Sequence, residues 1–192
     1  MNDRFDNEDL KQALEVLKQG GIILYPTDTV WGIGCDATNI AAVEKIIELK
    51  KRDAGKGMIV ITDQPGRIPQ YVKAIPELAW DLIELAEKPL TLIYPDGKNL
   101  AANVLAHDGS IGIRVTNELF SKTLCTRFKT PIVATSANLS GKKTPRSFIE
   151  IEPAIVEQVD YVVKFRQDDS KHYIASGIMR LGLHGEFELI RQ

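Results

Sequence analysis

Five short stretches of this chain gather residues able to handle phosphates and small polar ligands. Tyr25-Pro26-Thr27-Asp28-Thr29-Val30-Trp31-Gly32 offers two threonine hydroxyls and a carboxylate directly after an apolar run. Loops beyond the carboxyl ends of strands are where α/β sheets bind ligands. Asp28 either holds an amine group or bonds nearby backbone N–H groups in a capped turn. Gly32-Ile33-Gly34-Cys35-Asp36-Ala37 matches GxGxxA ahead of a helix. In a dinucleotide loop the glycines follow the strand directly; here six residues, 26–31, intervene, and backbone packing is the better reading.

Lys50-Lys51-Arg52-Asp53-Ala54-Gly55-Lys56-Gly57 is a basic loop with two glycines. Cations suit a helix C-terminus in any case. Lys50 and Arg52, two apart where the chain leaves a helix, would also project to one side of an extended segment. A point charge beside a bidentate fork suits a polyphosphate, and Lys56 follows on the same loop. In Ser110-Ile111-Gly112-Ile113-Arg114-Val115, alternation puts Ser110, Gly112 and Arg114 on one face. Arg114 there either faces an open space above Gly112 or pairs with a core carboxylate. Thr135-Ser136-Ala137-Asn138-Leu139-Ser140-Gly141 follows another apolar strand, and Thr144 lies beyond it among Lys142, Lys143 and Arg146. Ser136 and Asn138 are short donors and acceptors, fit for a phosphate or for capping a helix. No histidine is near, which leaves a Ser–His–Asp hydrolase without support. The three histidines and Cys35 and Cys125 show no metal-binding spacing.

The elements that must position these loops follow from periodicity and punctuation. Helices are expected over 7–19 capped by Asn7, 39–51 capped by Asn39, 76–87, and 117–128 capped by Asn117, with helical turns over 147–158. Strands are expected at 22–25, 33–35, 58–62, 90–94, 111–115, 132–135 and 160–165, with a turn at Pro65-Gly66. A closing hairpin is expected from 177–181 and 187–190. This alternation argues an α/β fold, and the hairpin makes its sheet mixed. A single domain over 1–192 is expected, with a twisted mixed sheet, flanking helices and a positive cleft.

The chain has 192 residues and a net charge of −2, with 44% hydrophobic and 26% charged residues, which excludes a disordered chain. It has no apolar run long enough to span a membrane. Residues 1–10 are polar and acidic, unlike a signal peptide, and two cysteines suit a reducing compartment, so a cytoplasmic setting is expected. Charge is uneven. Residues 44–56 carry five basic and three acidic groups, and residues 110–147 carry seven and one. Brought together, these blocks form a positive cleft that attracts phosphates; apart, they are two solvated surfaces.

In their order along the chain, Tyr25 to Ala37, Lys50-x-Arg52-x-x-x-Lys56, Pro89-Leu90-Thr91-Leu92-Ile93, Gly112-Ile113-Arg114-Val115 and Thr135 to Gly141 resemble the YrdC-like family of threonylcarbamoyl-AMP synthases. The resemblance covers the chain from about residue 10 onward. It implies a twisted α/β domain with a large positive cleft. It implies ATP, L-threonine and bicarbonate as substrates, Mg²⁺ accompanying ATP, and threonylcarbamoyl-AMP and pyrophosphate as products. It also implies tRNA and downstream threonylcarbamoyl-transfer enzymes as further partners. The family's tetrad falls on Lys50, Arg52, Ser136 and Asn138. Its threonine contacts fall on Thr29, Arg114 and Ser176, and its nucleotide contacts on Arg52, Lys56, Ser110, Ser136, Thr144 and Arg191. The chain departs from the family at Trp31, often tyrosine, at Asp53, often proline, and at Gly177, where Ser-Thr-Ile is usual. Its end at Gln192 resembles the short, single-domain branch. The alternatives are a non-catalytic RNA-binding module using the same positive cleft, or a carbamoyl-transfer domain of the same fold.

Overall fold

The structure, a computed structural model, describes residues 4–53 and 55–192. Residues 1–3 of the polar start and Ala54 of the basic loop lie outside the described residues. Helix α1 (Asn7–Lys18) buries Leu10, Ala13, Leu14 and Leu17, the face its period predicts. Each such leucine contributes roughly 2 kcal/mol when fully buried. Its cap is Asp6 and not Asn7: the Asp6 carboxylate accepts the Glu8 N–H at 2.9 Å, one residue earlier than the sequence suggests. Helix α2 (Ile40–Lys50) is capped by Asn39 as expected, through the Ala42 N–H.

Strand β1 (Ile23–Tyr25) is buried throughout. Ile23 and Tyr25 enter one apolar cluster, shared with α1, while Leu24 enters another. Alternation along a strand feeds both layers, and this is why the run reads as apolar at every position. Strand β2 (Gly32–Gly34) returns antiparallel to it. A Cβ on Gly34 would stand 2.5 Å from the Tyr25 ring and 2.7 Å from the Val133 carbonyl oxygen, so this glycine is a packing residue.

The remaining strands are β3 (Ile59–Thr62), β4 (Leu90–Tyr94), β5 (Ile111–Val115), β6 (Ile132–Val133), β7 (Thr135–Ser136), β8 (Tyr161–Val162), β9 (Gly177–Leu181) and β10 (Phe187–Arg191). They form two mixed sheets, ordered β7-β2-β1-β8 and β10-β9-β4-β5-β3-β6. The expected single strand over 132–135 is divided between them. The Ala134 N–H still meets the Ile59 carbonyl at 2.8 Å, extending the β6–β3 ladder, and Thr135 then pairs with Ile33 of the smaller sheet. One segment therefore joins the sheets at the corner from which the Ser136 loop departs.

Other boundaries shift for local reasons. The helix expected from Asn117 is α4 (Leu119–Phe128), capped by Glu118, whose carboxylate takes the N–H groups of Phe120 and Ser121. Helix α3 (Leu78–Leu85) is shorter than 76–87. The Pro65-Gly66 turn is a 3₁₀ helix, Pro65–Gln70. The strand expected over 160–165 ends after Val162, because the buried Asp9 carboxylate on α1 captures the N–H groups of Lys164 and Phe165. Helical structure over 147–158 reduces to a 3₁₀ turn, Phe148–Glu150, and α5 (Pro153–Val156). No helix among the described residues is long and apolar enough to cross a membrane.

Candidate functional site

A cleft of about 520 Å³ is lined from both sheets. Five cationic side chains reach it, Arg52, Lys56, Arg114, Arg180 and Arg191, and its lining has no carboxylate among the described residues. Arg52 and Lys56 come from one basic block of the sequence, Arg114 from the other, and Arg180 and Arg191 from outside both. A concave surface lined by one sign of charge concentrates anions.

The floor is the larger sheet. Its register sets Arg191, Ile178, Thr91 and Arg114 in one row across β10, β9, β4 and β5. The next row holds Arg180, Ile93, Gly112 and Ile59. Paired residues share a face, so Arg191, Arg114 and Arg180 stand among apolar and small residues on the floor, and Gly112 leaves its centre low.

Arg114 is only 4% exposed, and both readings of it hold at once. Its Nε donates to Asp28 Oδ1 at 3.1 Å and its Nη2 to Thr29 Oγ1 at 3.2 Å, and its side chain also lines the cleft. A buried guanidinium needs such a partner. Asp28 therefore orients Arg114, and it is absent from the cleft lining. Thr27 Oγ1 in turn donates to the Val30 carbonyl and lies 3.0 Å from Thr29 Oγ1, fixing the loop. Arg191 donates from Nε to the Ser176 carbonyl at 2.8 Å. Burial, and then the charge of Arg114, pull its pKa below the usual arginine range. Two like charges held close at the wall of a cleft favour an anion between them.

Arg52 borders the cleft from the basic loop, donating to the carbonyls of Lys56 and Gly57. Its pKa is lowered by burial. Lys50 does not join it. Lys51, at φ 50°, takes the left-handed conformation, and this turn sends the two side chains apart. The expected extended spacing fails for that reason. Lys50 is 2% exposed and absent from the cleft lining. Its Nζ donates to the carbonyls of Ser136 and Asn138, the latter at 2.6 Å. The Ser140 N–H returns to the Lys50 carbonyl at 2.9 Å. Lys50 is a strut beneath the Ser136–Ser140 loop. Burial, with the Arg52 charge adding to it, pushes its ammonium down to about 7.

Ser136 lines the cleft on β7, and Thr144 lies on the following loop. Asn138 stands behind them. Its Nδ2 donates to the carbonyls of Leu139 and Lys142, and its buried Oδ1 has no partner among the described residues. Ser110 lines the far side. Its N–H, together with Arg180 Nη1, donates to Asp108, and hydrogen bonds from these two residues hold that carboxyl below its usual range. Ser176 meets Thr91 hydroxyl to hydroxyl at 2.8 Å. Of the residues singled out in the sequence, Thr29, Arg52, Lys56, Ser110, Arg114, Ser136, Thr144, Ser176 and Arg191 come together here, and Lys50 and Asn138 stand behind the wall. Arg180 was not singled out, and Thr91 was read only as part of the Pro89–Ile93 motif, without a role of its own. Alternation of two from Ile178 would have placed Arg180 on the floor, but the Thr91–Ser176 contact spans 85 residues and leaves no local signal. Both cysteines are buried, and desolvation pushes their thiols up, away from a nucleophilic thiolate.

Comparison with known proteins places this geometry among relatives. The family model Sua5/YciO/YrdC, described as telomere recombination, matches residues 15–192. The chain is 37% identical over 161 residues to the threonylcarbamoyl-AMP synthase of Pseudoalteromonas translucida, covering 82% of this chain and 86% of that protein. It is 34% identical over 157 residues to the protein of that name from Xanthomonas oryzae pv. oryzae, covering 80% and 84%. The structure of P. abyssi Sua5 complexed with L-threonine superposes with a TM-score of 0.80 at 25% identity, over 93% of this chain. This chain spans only 52% of that Sua5 chain. E. coli YciO shares the fold, with a TM-score of 0.80 at 22% identity, over 97% of this chain and 90% of that one.

Proposed function

The chain belongs to the Sua5/YciO/YrdC family, and from that premise we propose that it is a threonylcarbamoyl-AMP synthase. It joins ATP, L-threonine and bicarbonate into threonylcarbamoyl-AMP and releases pyrophosphate. This makes it an enzyme of the nucleotidyltransferase class, acting in the cytoplasm as one domain. Its product supplies threonylcarbamoyl transfer to tRNA by downstream enzymes.

The observation that carries the reading is a pair of guanidiniums, the buried Arg114 and the exposed Arg191, each tied back by the protein and both lining a carboxylate-free cleft. At that end Arg114 takes the threonine carboxylate, with Thr29 and Ser176 beside it. At the other end Arg52 and Lys56 neutralise the triphosphate, Ser136 and Thr144 donate to it, and Ser110 contacts the nucleoside. Arg191 stands where the two ends meet. Asn138 shapes the Ser136 loop, and Lys50 supports it from below.

The threonine amine adds to CO₂ derived from bicarbonate, giving a carbamate and releasing a proton. A carbamate oxygen then attacks the α-phosphorus of ATP, the bond to the β-phosphate oxygen breaks, and pyrophosphate leaves. The protein aligns two mutually repelling anions and spreads the developing charge, so it needs no nucleophile of its own. Mg²⁺ arrives with ATP. Among the described residues no three His, Cys, Asp or Glu side chains cluster to hold an ion, and the cleft offers only oxygens such as the Ser136 and Thr144 hydroxyls. The phosphates therefore supply its main ligands.

The test is pyrophosphate release from ATP and Mg²⁺, with and without L-threonine and bicarbonate. Release that needs both supports the reading. No release, with salt-sensitive RNA binding, would turn the cleft into a phosphate clamp for RNA.

A further inference from the structure

We propose that Thr91 is a positioning residue of the amino-acid end of the cleft: it fixes the Ser176 hydroxyl as a donor aimed at the substrate. The proposal rests on the functional reading above, which puts threonine at this end.

Counting hydrogens decides the direction of the bond. Thr91 Oγ1 and Ser176 Oγ lie 2.8 Å apart, and either could donate. Thr91 is 0% exposed, and no described residue besides Ser176 offers its hydroxyl a partner. A buried O–H without an acceptor forfeits a hydrogen bond that water would have supplied. Ser176 is 3% exposed and lines the cleft, so its own hydrogen has somewhere to go. The arrangement that satisfies both hydroxyls has Thr91 donating and Ser176 accepting, with the Ser176 hydrogen turned into the cleft.

The surroundings hold both partners in place. Thr91 sits mid-strand on β4, between Arg114 and Ile178 in the floor row. Its methyl group packs toward Gly112, 3.3 Å from where a Cβ would stand there, which leaves Oγ1 toward Ser176. A β-branched side chain has little rotamer freedom in such a site. The peptide unit after Ser176 is pinned at both its polar groups: the Ser176 carbonyl accepts from Arg191 Nε at 2.8 Å, and the Gly177 N–H donates to the Pro89 carbonyl at 3.0 Å. The Ser176 hydroxyl rotor is thus the one free torsion, and Thr91 sets it. A donor fixed next to Arg114 and Arg191 adds one more directional hydrogen bond, to an amino-acid oxygen, beside their guanidinium donors.

The experiment compares the full-length protein with Thr91→Val, Thr91→Ser, Ser176→Ala and the Thr91→Val/Ser176→Ala double variant. Threonine binding is measured by calorimetry, and KM for threonine and for ATP by pyrophosphate release. Valine keeps the shape and removes the hydroxyl. Loss of one oriented neutral hydrogen bond weakens threonine about tenfold, in Kd and in KM alike. The KM for ATP stays within about twofold, Thr91→Ser restores threonine affinity, and Thr91→Val adds nothing once Ser176 is alanine. Unchanged threonine affinity in Thr91→Val overturns the proposal. So does an equal rise in both KM values, or a full further loss on the Ser176→Ala background. A wild-type protein that does not bind threonine overturns the functional reading and this inference together. Wild-type turnover with an indifferent Thr91→Val overturns this inference alone.

Discussion

Replacing Lys50 by methionine removes a buried ammonium and keeps the length of the side chain. Two carbonyls, those of Ser136 and Asn138, lose their donor. Each orphaned buried acceptor costs about 1–3 kcal/mol. Against this stands the cost of keeping a charge out of water, which falls as the lysine loses its proton. Its pKa is about 7 in the folded protein, against an ordinary value of 10.5, because of burial and then the Arg52 charge. Between those values the unfolded chain holds a proton that the folded protein has released. Unfolding then takes up one proton, and stability rises with pH by about 1.4 kcal/mol per unit. The contribution is complete above the unfolded value and is lost as pH falls through about 7. The wild type is therefore expected to exceed Lys50→Met by about 3 kcal/mol at about pH 9 and by about 1 kcal/mol at about pH 7.5. Urea unfolding at a few pH values across that interval, read by linear extrapolation, measures the gap. A gap independent of pH would refute the reasoning. It would mean that the two carbonyls hold the ammonium charged and outweigh burial.

Three further outcomes follow from the same geometry. Arg52→Ala is expected to lower the rate of pyrophosphate release about a hundredfold, the loss typical of one charged contact at a developing charge; near-normal activity would remove Arg52 from the site. Arg114→Lys keeps the charge but cannot span Asp28 and Thr29 as the fork does, and is expected to raise KM for threonine about tenfold while leaving KM for ATP within about twofold. Gly34→Ala is expected to destabilise the fold by about 3 kcal/mol, because the Cβ would meet the Tyr25 ring and the Val133 backbone oxygen; an unchanged thermal midpoint would show that this corner can yield.

The fold was legible where one local cause dominates. The face of α1, the Asn39 cap, the buried run at β1 and the closing hairpin each follow from a period or a punctuating residue. Boundaries were lost where a distant group intervened. Asp9 on the first helix ends β8, and Ile33 draws Thr135 into the smaller sheet while Ala134 stays bonded to Ile59 of the larger. Neither partner is near in sequence.

The same division runs through the site. Residue type and order alone marked a basic loop, a strand arginine and a hydroxyl-rich loop as candidate phosphate contacts, and left open whether they meet. They also determined the family, because chemistry constrains residue identity at each motif. Which way each side chain points was decided only by the tertiary structure. A left-handed Lys51 parts Lys50 from Arg52 and sets the Lys50 ammonium beneath the Ser136–Ser140 loop. Asp28 meets Arg114, and Thr91 meets Ser176, across 86 and 85 residues. Buried charges and hydroxyls must find partners wherever the folded chain brings them, and that demand is set by burial, which no spacing along the chain records.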